Sequence, residues 1–112
     1  METKKIGTTT IAPQVIGTIA RLTTLATTGV SRMSTVRFPH TKNPIESETE
    51  GVKAIVKNNK LYLDLYIVTG SNVNVRIVSE TIQQHVLRAI SELTGMEVAQ
   101  INVHITDIDI EA

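Results

Sequence analysis

The side chains most capable of chemistry lie near the carboxyl terminus, where residues 98–110 read VAQINVHITDIDI. On a β-strand, His104, Asp107 and Asp109 could line one edge, and imidazole and carboxylate groups are common ligands of divalent metal ions. However, residues two apart on a strand lie ~6.6 Å apart along it, whereas metal donors converge on a point ~2 Å from each. A lone strand therefore does not build a metal site, and we expect a solvated strand face without metal or cofactor.

The spacing of this row implies a β-bulge. The apolar residues alternate inward up to Ile105, whereas Ile108 and Ile110 have the opposite parity. One extra residue absorbed near Thr106 or Asp107 would return both isoleucines to the core. The residues that would then project together from the opposite side are Asn102, His104, Asp107, Asp109 and Glu111.

A second group of polar side chains lies on the predicted long helix. His85 is at the flank of its apolar stripe and could titrate near neutrality or act as a base, but no nucleophile with an obvious partner accompanies it. A mixed charged face is typical of a solvated helix surface; here it comprises Glu80, Gln83, Gln84, Arg88 and Glu92. The turn at Gly70 lacks the spaced glycines and lysine of a phosphate loop. We expect no catalytic residues and no enzymatic activity.

The composition indicates one small domain without a strong electrostatic partner. The chain has 112 residues, eleven basic and eleven acidic side chains and no cysteine. A net charge near zero argues against nucleic acid or an anionic membrane surface as the partner, and the lack of cysteine excludes disulfides and thiolate metal sites. The N-terminal METKKIGTTT has no apolar signal core, and no stretch approaches the ~20 apolar residues of a membrane span. We expect a cytoplasmic protein that does not insert into the membrane.

The pattern of the amino-terminal half predicts a polar tail at 1–10 and a single domain at 11–112. Residues 12–29 favour a helix that Thr10 caps and Gly29 ends. Its predicted inward stripe is Val15, Ile16, Ile19, Leu22 and Ala26. A short strand is predicted at 30–36, and the prolines and small polar residues of 37–50 are typical of an exposed loop.

Residues 51–68 alternate in two runs around Asn58 and Asn59, which suit the positive φ angles of a tight hairpin turn. A one-residue slip would move charged side chains into the apolar face, so the register is well specified. The predicted pairs are Lys57 with Lys60, Val56 with Leu61, Ala54 with Leu63, Val52 with Leu65, Ile55 with Tyr62 and Lys53 with Asp64.

A long amphipathic helix follows, beginning at Asn72 or Asn74 and ending at Gly95, and a final strand completes the chain. The predicted inward residues of the helix are Val78, Ile82, Val86, Ala89, Ile90 and Leu93. The helix permits a right-handed parallel crossover to the last strand without fixing the strand order. The pattern predicts an α/β fold of the α+β two-layer type, with two helices on a small mixed sheet in the order α-β-β-β-α-β.

The second face of the hairpin is the candidate interaction surface. If the helices cover the other side, an apolar strip with a lysine rim remains, and it suits a protein interface or self-association. Tyrosines beside lysines could instead stack RNA bases, which is the alternative function, and a metal-dependent enzyme is the third. The remaining interpretation is that the first helix or the long loop covers this face. The surface comprises Lys53, Ile55, Lys57, Tyr62, Tyr66 and Val68.

The order of motifs resembles the alkaline shock protein family, the envelope stress response proteins of Gram-positive bacteria. The resemblance rests on VIGTIARLTTLATTGVSRM, on GVKAIVKNNKLYLDLYIVTG and, most specifically, on TIQQHVLRAISELTGMEVAQINVHITDID, and it runs from about Ile11 onward. The segment RFPHTKNPIESETE departs from the family pattern, and the long charged tails of some relatives are missing.

The resemblance implies a noncatalytic scaffold protein of cell envelope homeostasis that forms homo-oligomers. Some relatives are recruited near the membrane by a membrane-anchored partner, so the implied partners are a second copy of the chain and a protein of that kind. The family has no established catalytic residues to transfer.

Overall fold

The computed structural model describes residue 7 and residues 10–35 and 46–110. Its elements are, in chain order, α1 (Pro13–Leu25), β1 (Val30–Met33), β2 (Glu46–Thr49), β3 (Val52–Lys57), β4 (Lys60–Gly70), α2 (Val75–Thr94) and β5 (Glu97–Asp109). This confirms the predicted two-layer α+β fold and adds one strand, β2, which pairs with β3 inside the segment predicted as a loop. The rest of that loop and most of the predicted tail lie outside the described residues.

The β3–β4 hairpin has the predicted turn and register. Asn58 and Asn59 have φ angles of 53° and 61°, which are the left-handed values that a two-residue turn of type I′ requires. All six predicted cross-strand pairs are present, from Lys57 opposite Lys60 to Val52 opposite Leu65. The alternation of apolar and polar residues therefore specified this register correctly.

Strand β4 is the centre of the five-stranded sheet. One edge pairs with β5 in parallel along its whole length, and the other pairs first with β3 and then with β1. The change of neighbour occurs at Tyr66, whose N–H donates to the Gly51 carbonyl and whose carbonyl accepts from the Ser34 N–H, both at 2.8 Å. The order left open by the sequence is thus β2-β3-β4-β5, with β1 continuing the line of β3.

Both helices cover the same side of this sheet. The core joins the inward residues of β3 and β4 to Ile16 and Ala20 of α1 and to one line on α2. That line consists of Val78, Ile82, Val86 and Ile90. Asn74 caps α2 by accepting the N–H groups of Arg76 and Ile77, at 3.1 and 3.2 Å, and Gly95 ends the helix with φ 70°. No helix in the described part of the chain combines the length and apolarity that a membrane span requires.

Four predicted details of the helices are wrong. Thr10 does not cap α1, since the N-cap is Ala12 and no side chain caps it, and the helix ends at Leu25 instead of Gly29. The buried side of α1 is formed by Ile16, Gly17, Ala20 and Thr24, because small residues let the helix approach the sheet closely. The predicted inward residues Val15, Leu22 and Ala26 are left outside. Leu93 is 69% exposed, since it lies in the last turn, beyond the last buried residue of α2.

Strand β5 contains the predicted bulge and a second one. The register with β4 shifts at Thr106, as predicted, and also at Ala99. Ile105 packs against the core, but Ile108 and Ile110 are exposed, so the predicted return of these two residues to the core is wrong. The bulge corrects the alternation of these residues. However, a residue on the inner side of the sheet is buried only if another element packs on it.

Candidate interface on the outer face of the sheet

The sheet face opposite the helices, called here the outer face, carries the predicted interaction surface. Because inward and outward side chains alternate, the register fixes its members. They include Lys53, Ile55 and Lys57 of β3, Tyr62, Asp64, Tyr66 and Val68 of β4, and Asn102, His104, Asp107 and Asp109 of β5. The hairpin surface and the polar row of β5 were predicted separately, and the structure places them on one face.

The six predicted surface residues differ in accessibility. Ile55 and Tyr62 face each other across the hairpin and are half-buried, as are Lys53 and Tyr66, while Lys57 is exposed near the turn. Val68 lies on the same face but is only 2% exposed, so its side chain offers almost no contact area. The accessible part of the predicted surface therefore centres on Ile55 and Tyr62.

Four side chains in the middle of the face form a cross-strand cluster. Asp64 accepts a hydrogen bond from the Asn102 amide at 3.1 Å, and its same oxygen lies 2.9 Å from Nε2 of His104. The His104 ring stacks on Tyr66, with 4.4 Å between ring centroids and 17° between the planes. These contacts hold the rings of Tyr66 and His104 in fixed orientations.

The surroundings of Tyr66 act on its hydroxyl. Burial raises the pKa of Tyr66 above its ordinary value, and the nearby Asp64 carboxylate raises it further. Both effects disfavour the phenolate. Tyr66 therefore presents a neutral phenol in the physiological pH range.

A second polar group joins β1 to the end of β5. Ser31 donates to Oδ2 of Asp109 at 2.5 Å, and the Arg32 guanidinium contacts both carboxylate oxygens, each at 3.3 Å. These bonds favour the charged carboxylate and lower the pKa of Asp109, with the Ser31 hydrogen bond as the largest cause. The group links strands on opposite edges of β4.

We expect the Ser31→Ala substitution to raise the pKa of Asp109 toward its ordinary value. A carboxylate with a depressed folded-state pKa stabilises the fold above the unfolded value of about 3.9, and this contribution is lost as the pH falls through the folded-state pKa. A carbon-detected NMR titration of the Asp109 carboxyl measures the change. Ser91→Ala, on an exposed position of α2, is the control and should leave the titration unaltered. An unchanged titration midpoint in Ser31→Ala would contradict the assignment of the Ser31 hydrogen bond as the largest cause of the lowered pKa.

The remaining candidate residues are dispersed. His85 is exposed, and its Nδ1 lies 3.5 Å from the Thr27 hydroxyl. On the polar face of α2, Arg88 pairs with Glu92 at 3.1 Å, and Gln83 donates to the Ile101 carbonyl of β5 at 3.0 Å. Within the described ranges, no three histidine or acidic side chains gather in a way that could hold a metal ion. Glu111 lies outside those ranges.

Sequence reasoning missed both polar groups. Asp64 and His104 are 40 positions apart, and Ser31 and Asp109 are 78 apart. The parallel pairing of β4 with β5 brings the first pair together, and the sequence left that pairing open. The alternation of β5 did place Asn102, His104 and Asp109 on one side, which was the available signal.

Solved structures of the domain described as MamM CTD have a similar fold. One variant aligns with a TM-score of 0.58 at 12% identity, over 88% of this chain and 96% of its own. A nickel form of another variant aligns with the same TM-score at 11% identity, over 88% of this chain and 99% of its own. At this level of identity the likeness concerns the fold alone.

The sequence comparisons assign a family. The Bacillus subtilis (strain 168) protein YqhY, described as uncharacterized, is 25% identical over 115 residues, which cover 98% of this chain and 83% of YqhY. The model of the alkaline shock protein 23 family, described as having a cell envelope-related function, matches residues 1–110. The chain therefore belongs to this family, as its motifs indicated, and has a cell envelope-related role.

Proposed function

We propose that this chain is a noncatalytic scaffold protein that acts at the cell envelope by binding further copies of itself and protein partners through the outer face. The observation that supports this proposal is the half-buried pair of Ile55 and Tyr62 beside the stacked rings of Tyr66 and His104. The described helices lie on the opposite side of the sheet. The outer face therefore offers aromatic and aliphatic area that neither helix covers.

The physical character of this surface suits a protein contact. Tyrosine and histidine combine an apolar ring with a polar edge, a combination that interfaces use frequently. Because the cluster fixes Tyr66 and His104 before any partner arrives, binding costs less side-chain entropy. Lys53 and Lys57 supply a polar rim. These features favour specific association over nonspecific adhesion.

The same geometry supports a noncatalytic role. Nε2 of His104 is engaged by Asp64, and one side of the imidazole ring is covered by Tyr66. Both contacts have a structural explanation, since they hold side chains in place on the outer face. Asp64 lies beside the aromatic rings and Asp107 lies on the same face, and both carboxylates would repel phosphates, which disfavours the RNA-binding alternative.

The cellular setting in this proposal is the cytoplasmic side of the envelope in a Gram-positive bacterium under stress. The family membership supports the link to the envelope. A membrane-anchored protein is the further partner, since the resemblance includes relatives recruited in that way. Contact with the membrane would then depend on the partner.

Light scattering over a concentration series tests the outer face. We expect Tyr62→Arg to weaken self-association at least about tenfold, because a buried, unpaired charge costs more than 1.4 kcal/mol. Gln84→Arg adds the same charge to an exposed position of α2 and should leave the association constant unchanged. Tyr66 is left intact because its stack with His104 is part of the fold.

Two results would overturn this proposal. One is a wild-type chain that stays monomeric at every concentration and captures no protein partner. The other is a salt-dependent RNA complex that Tyr62→Ala abolishes, which would favour the nucleic-acid interpretation. Circular dichroism of each variant ensures that a loss of assembly is not a loss of folding.

A further inference from the structure

Helix α1 has an apolar surface on the side that faces away from the sheet. Among its residues, PQVIGTIARLTTL, only Arg21 is charged. On the side opposite the buried residues, Val15 is 49% exposed, Leu22 54% and Leu25 38%. Their helical spacing places them with Thr18 on one strip, called here the α1 outer stripe. The helix is therefore apolar on both sides.

Thr18, in the middle of the stripe, does not interrupt its apolar character. Its hydroxyl donates to the Gln14 carbonyl one turn earlier, at 3.0 Å. The hydrogen bond satisfies the hydroxyl within the helix and leaves the methyl group to form part of the surface. A small side chain at this point also permits another helix to approach closely.

The neighbouring helix in the same layer provides an internal comparison. The exposed side of α2 also carries apolar side chains such as Leu87, but ion pairs one turn apart lie among them, Arg76 with Glu80 at 3.4 Å and Arg88 with Glu92 at 3.1 Å. Such a face is typical of a helix in contact with water, whereas a helix that is apolar all round is typically buried. The outer side of α2 is therefore suited to contact with water, whereas the outer side of α1 is suited to contact with another apolar surface.

The stripe continues into a groove at the carboxyl end of α1. Ala26 forms one wall of this groove, and Ile77 and Thr81 of α2 form the other. Ile77 is 59% exposed, and the Thr81 hydroxyl donates to the Ile77 carbonyl at 2.8 Å, so this wall is apolar apart from Asn74 and His85. The groove extends the contact area beyond α1.

We propose that the α1 outer stripe is an interface between two copies of this chain, in which the two α1 helices pack antiparallel about a twofold axis near Thr18. A surface without charge can face its own copy without repulsion. In contrast, β5 carries Glu97 and Asp107 without a lysine or arginine of its own, and these carboxylates would repel a second β5. Charge therefore favours a second copy at α1.

The spacing of the stripe fits this symmetry. With a rise of about 1.5 Å per residue, Val15 lies about 4.5 Å to one side of Thr18 and Leu22 about 6 Å to the other. Across a twofold axis, Leu22 of the partner copy would lie beside Val15, and the reverse contact would form at the same time. The two small methyl groups of Thr18 would meet at the axis.

The size of the stripe predicts a weak contact. A helix of this length is about 20 Å long. Alone, it would cover only part of the ~800 Å² per partner that a standard interface buries, and the groove beside Ile77 adds to it. We therefore expect a concentration-dependent dimer. Because α1 and the outer face lie on opposite layers, contacts at both surfaces would extend into a larger assembly.

Cysteine cross-linking tests the proposed symmetry directly, since the natural chain has no cysteine. In an antiparallel pair with axes 8–10 Å apart, facing Cα atoms at the twofold come within ~6 Å, which a disulfide can span. We expect Thr18→Cys to give several-fold more disulfide-linked dimer under mild oxidation than Ser91→Cys, at an exposed position of α2. Equal cross-linking of the two variants would overturn the proposal.

A second measurement separates this interface from the outer face. In light scattering, Leu22→Lys should raise the dimer dissociation constant at least about tenfold, whereas Leu93→Lys, which changes an exposed leucine outside the stripe, should not. If Leu22→Lys has no effect while Tyr62→Arg dissociates the protein, the α1 proposal fails and the proposed function stands. The reverse result would support α1 and remove the outer face from self-association.

The same variants identify a different occupant of the stripe. Vesicles of phosphatidylcholine and phosphatidylglycerol serve as the lipid probe. Sedimentation of the wild type with these vesicles, lost in Leu22→Lys and accompanied by a monomeric wild type in solution, would overturn the proposal in favour of a lipid surface. A dimer without vesicle binding is the result that we expect.

Discussion

The Gly51→Ala substitution is expected to destabilise the fold by about 3 kcal/mol, through a left-handed backbone angle that costs 1–2 kcal/mol and overpacking that costs 1–3. Gly51 has φ +72°, and a Cβ built on it would lie 2.8 Å from Cε of Met33 and 2.9 Å from the Tyr66 carbonyl oxygen. The residue cannot shift easily, because its own carbonyl accepts the Tyr66 N–H at 2.8 Å. The added methyl group would therefore strain the junction of β1, β3 and β4.

Gly95→Ala is the matched control. Gly95 has almost the same angle, φ +70°, but nothing lies within 4 Å of a Cβ built there. We expect only the backbone cost of about 1–2 kcal/mol. Urea unfolding followed by circular dichroism gives both values. If the two substitutions proved equally destabilising, the close approach of Met33 and Tyr66 to Gly51 would not be a feature of the folded protein.

The parts of the fold that depend on local pattern could be predicted from the sequence. The β3–β4 hairpin followed from the Asn58–Asn59 turn and from alternation on both sides of it, because a slip of one residue would bury lysines. The bulge at Thr106 followed in the same way from a break in parity. The outer face was predictable for the same reason, since register alone places Ile55 and Tyr62 on one side.

The orientation of α1 could not be predicted in this way. Ranking its residues by hydrophobicity selects Val15 and Leu22 for the core, but the structure buries Gly17 and Ala20, whose small side chains allow close packing on the sheet. The choice depends on the distance between helix and sheet, which is a tertiary property. Because the larger side chains of Val15 and Leu22 are turned outward, they form the α1 outer stripe.

Contacts between distant segments were likewise beyond the sequence. The cluster of Asp64, His104 and Tyr66 requires β5 to lie beside β4, and the bonds from Ser31 and Arg32 to Asp109 require β1 to reach the end of the same strand. Within its own segment, none of these residues carries a sequence signal for such a contact. Their pairing follows from strand order, which local periodicity does not determine.

Leu63→Ala should cause the largest loss of stability among the single changes considered, about 3–5 kcal/mol. Leu63 is fully buried at the centre of β4, where it pairs with Ala54 of β3 and Ile101 of β5. Its truncation leaves a cavity that three strands cannot close without moving. Since a small domain is stable by only about 5–15 kcal/mol, the loss would be a large part of the total.

Leu93→Ala makes the same chemical change at a position that is 69% exposed, and we expect it to cost less than about 0.5 kcal/mol. Comparable unfolding midpoints for the two alanine variants would show that the core is not where the structure places it.

The pair also calibrates the assembly experiments, because Leu63 and Tyr62 are neighbours on β4 that point to opposite faces. Tyr62→Arg acts as an interface change only if it dissociates the protein while keeping an unfolding midpoint near that of Leu93→Ala. A midpoint close to that of Leu63→Ala would mean that the sheet itself had been disrupted.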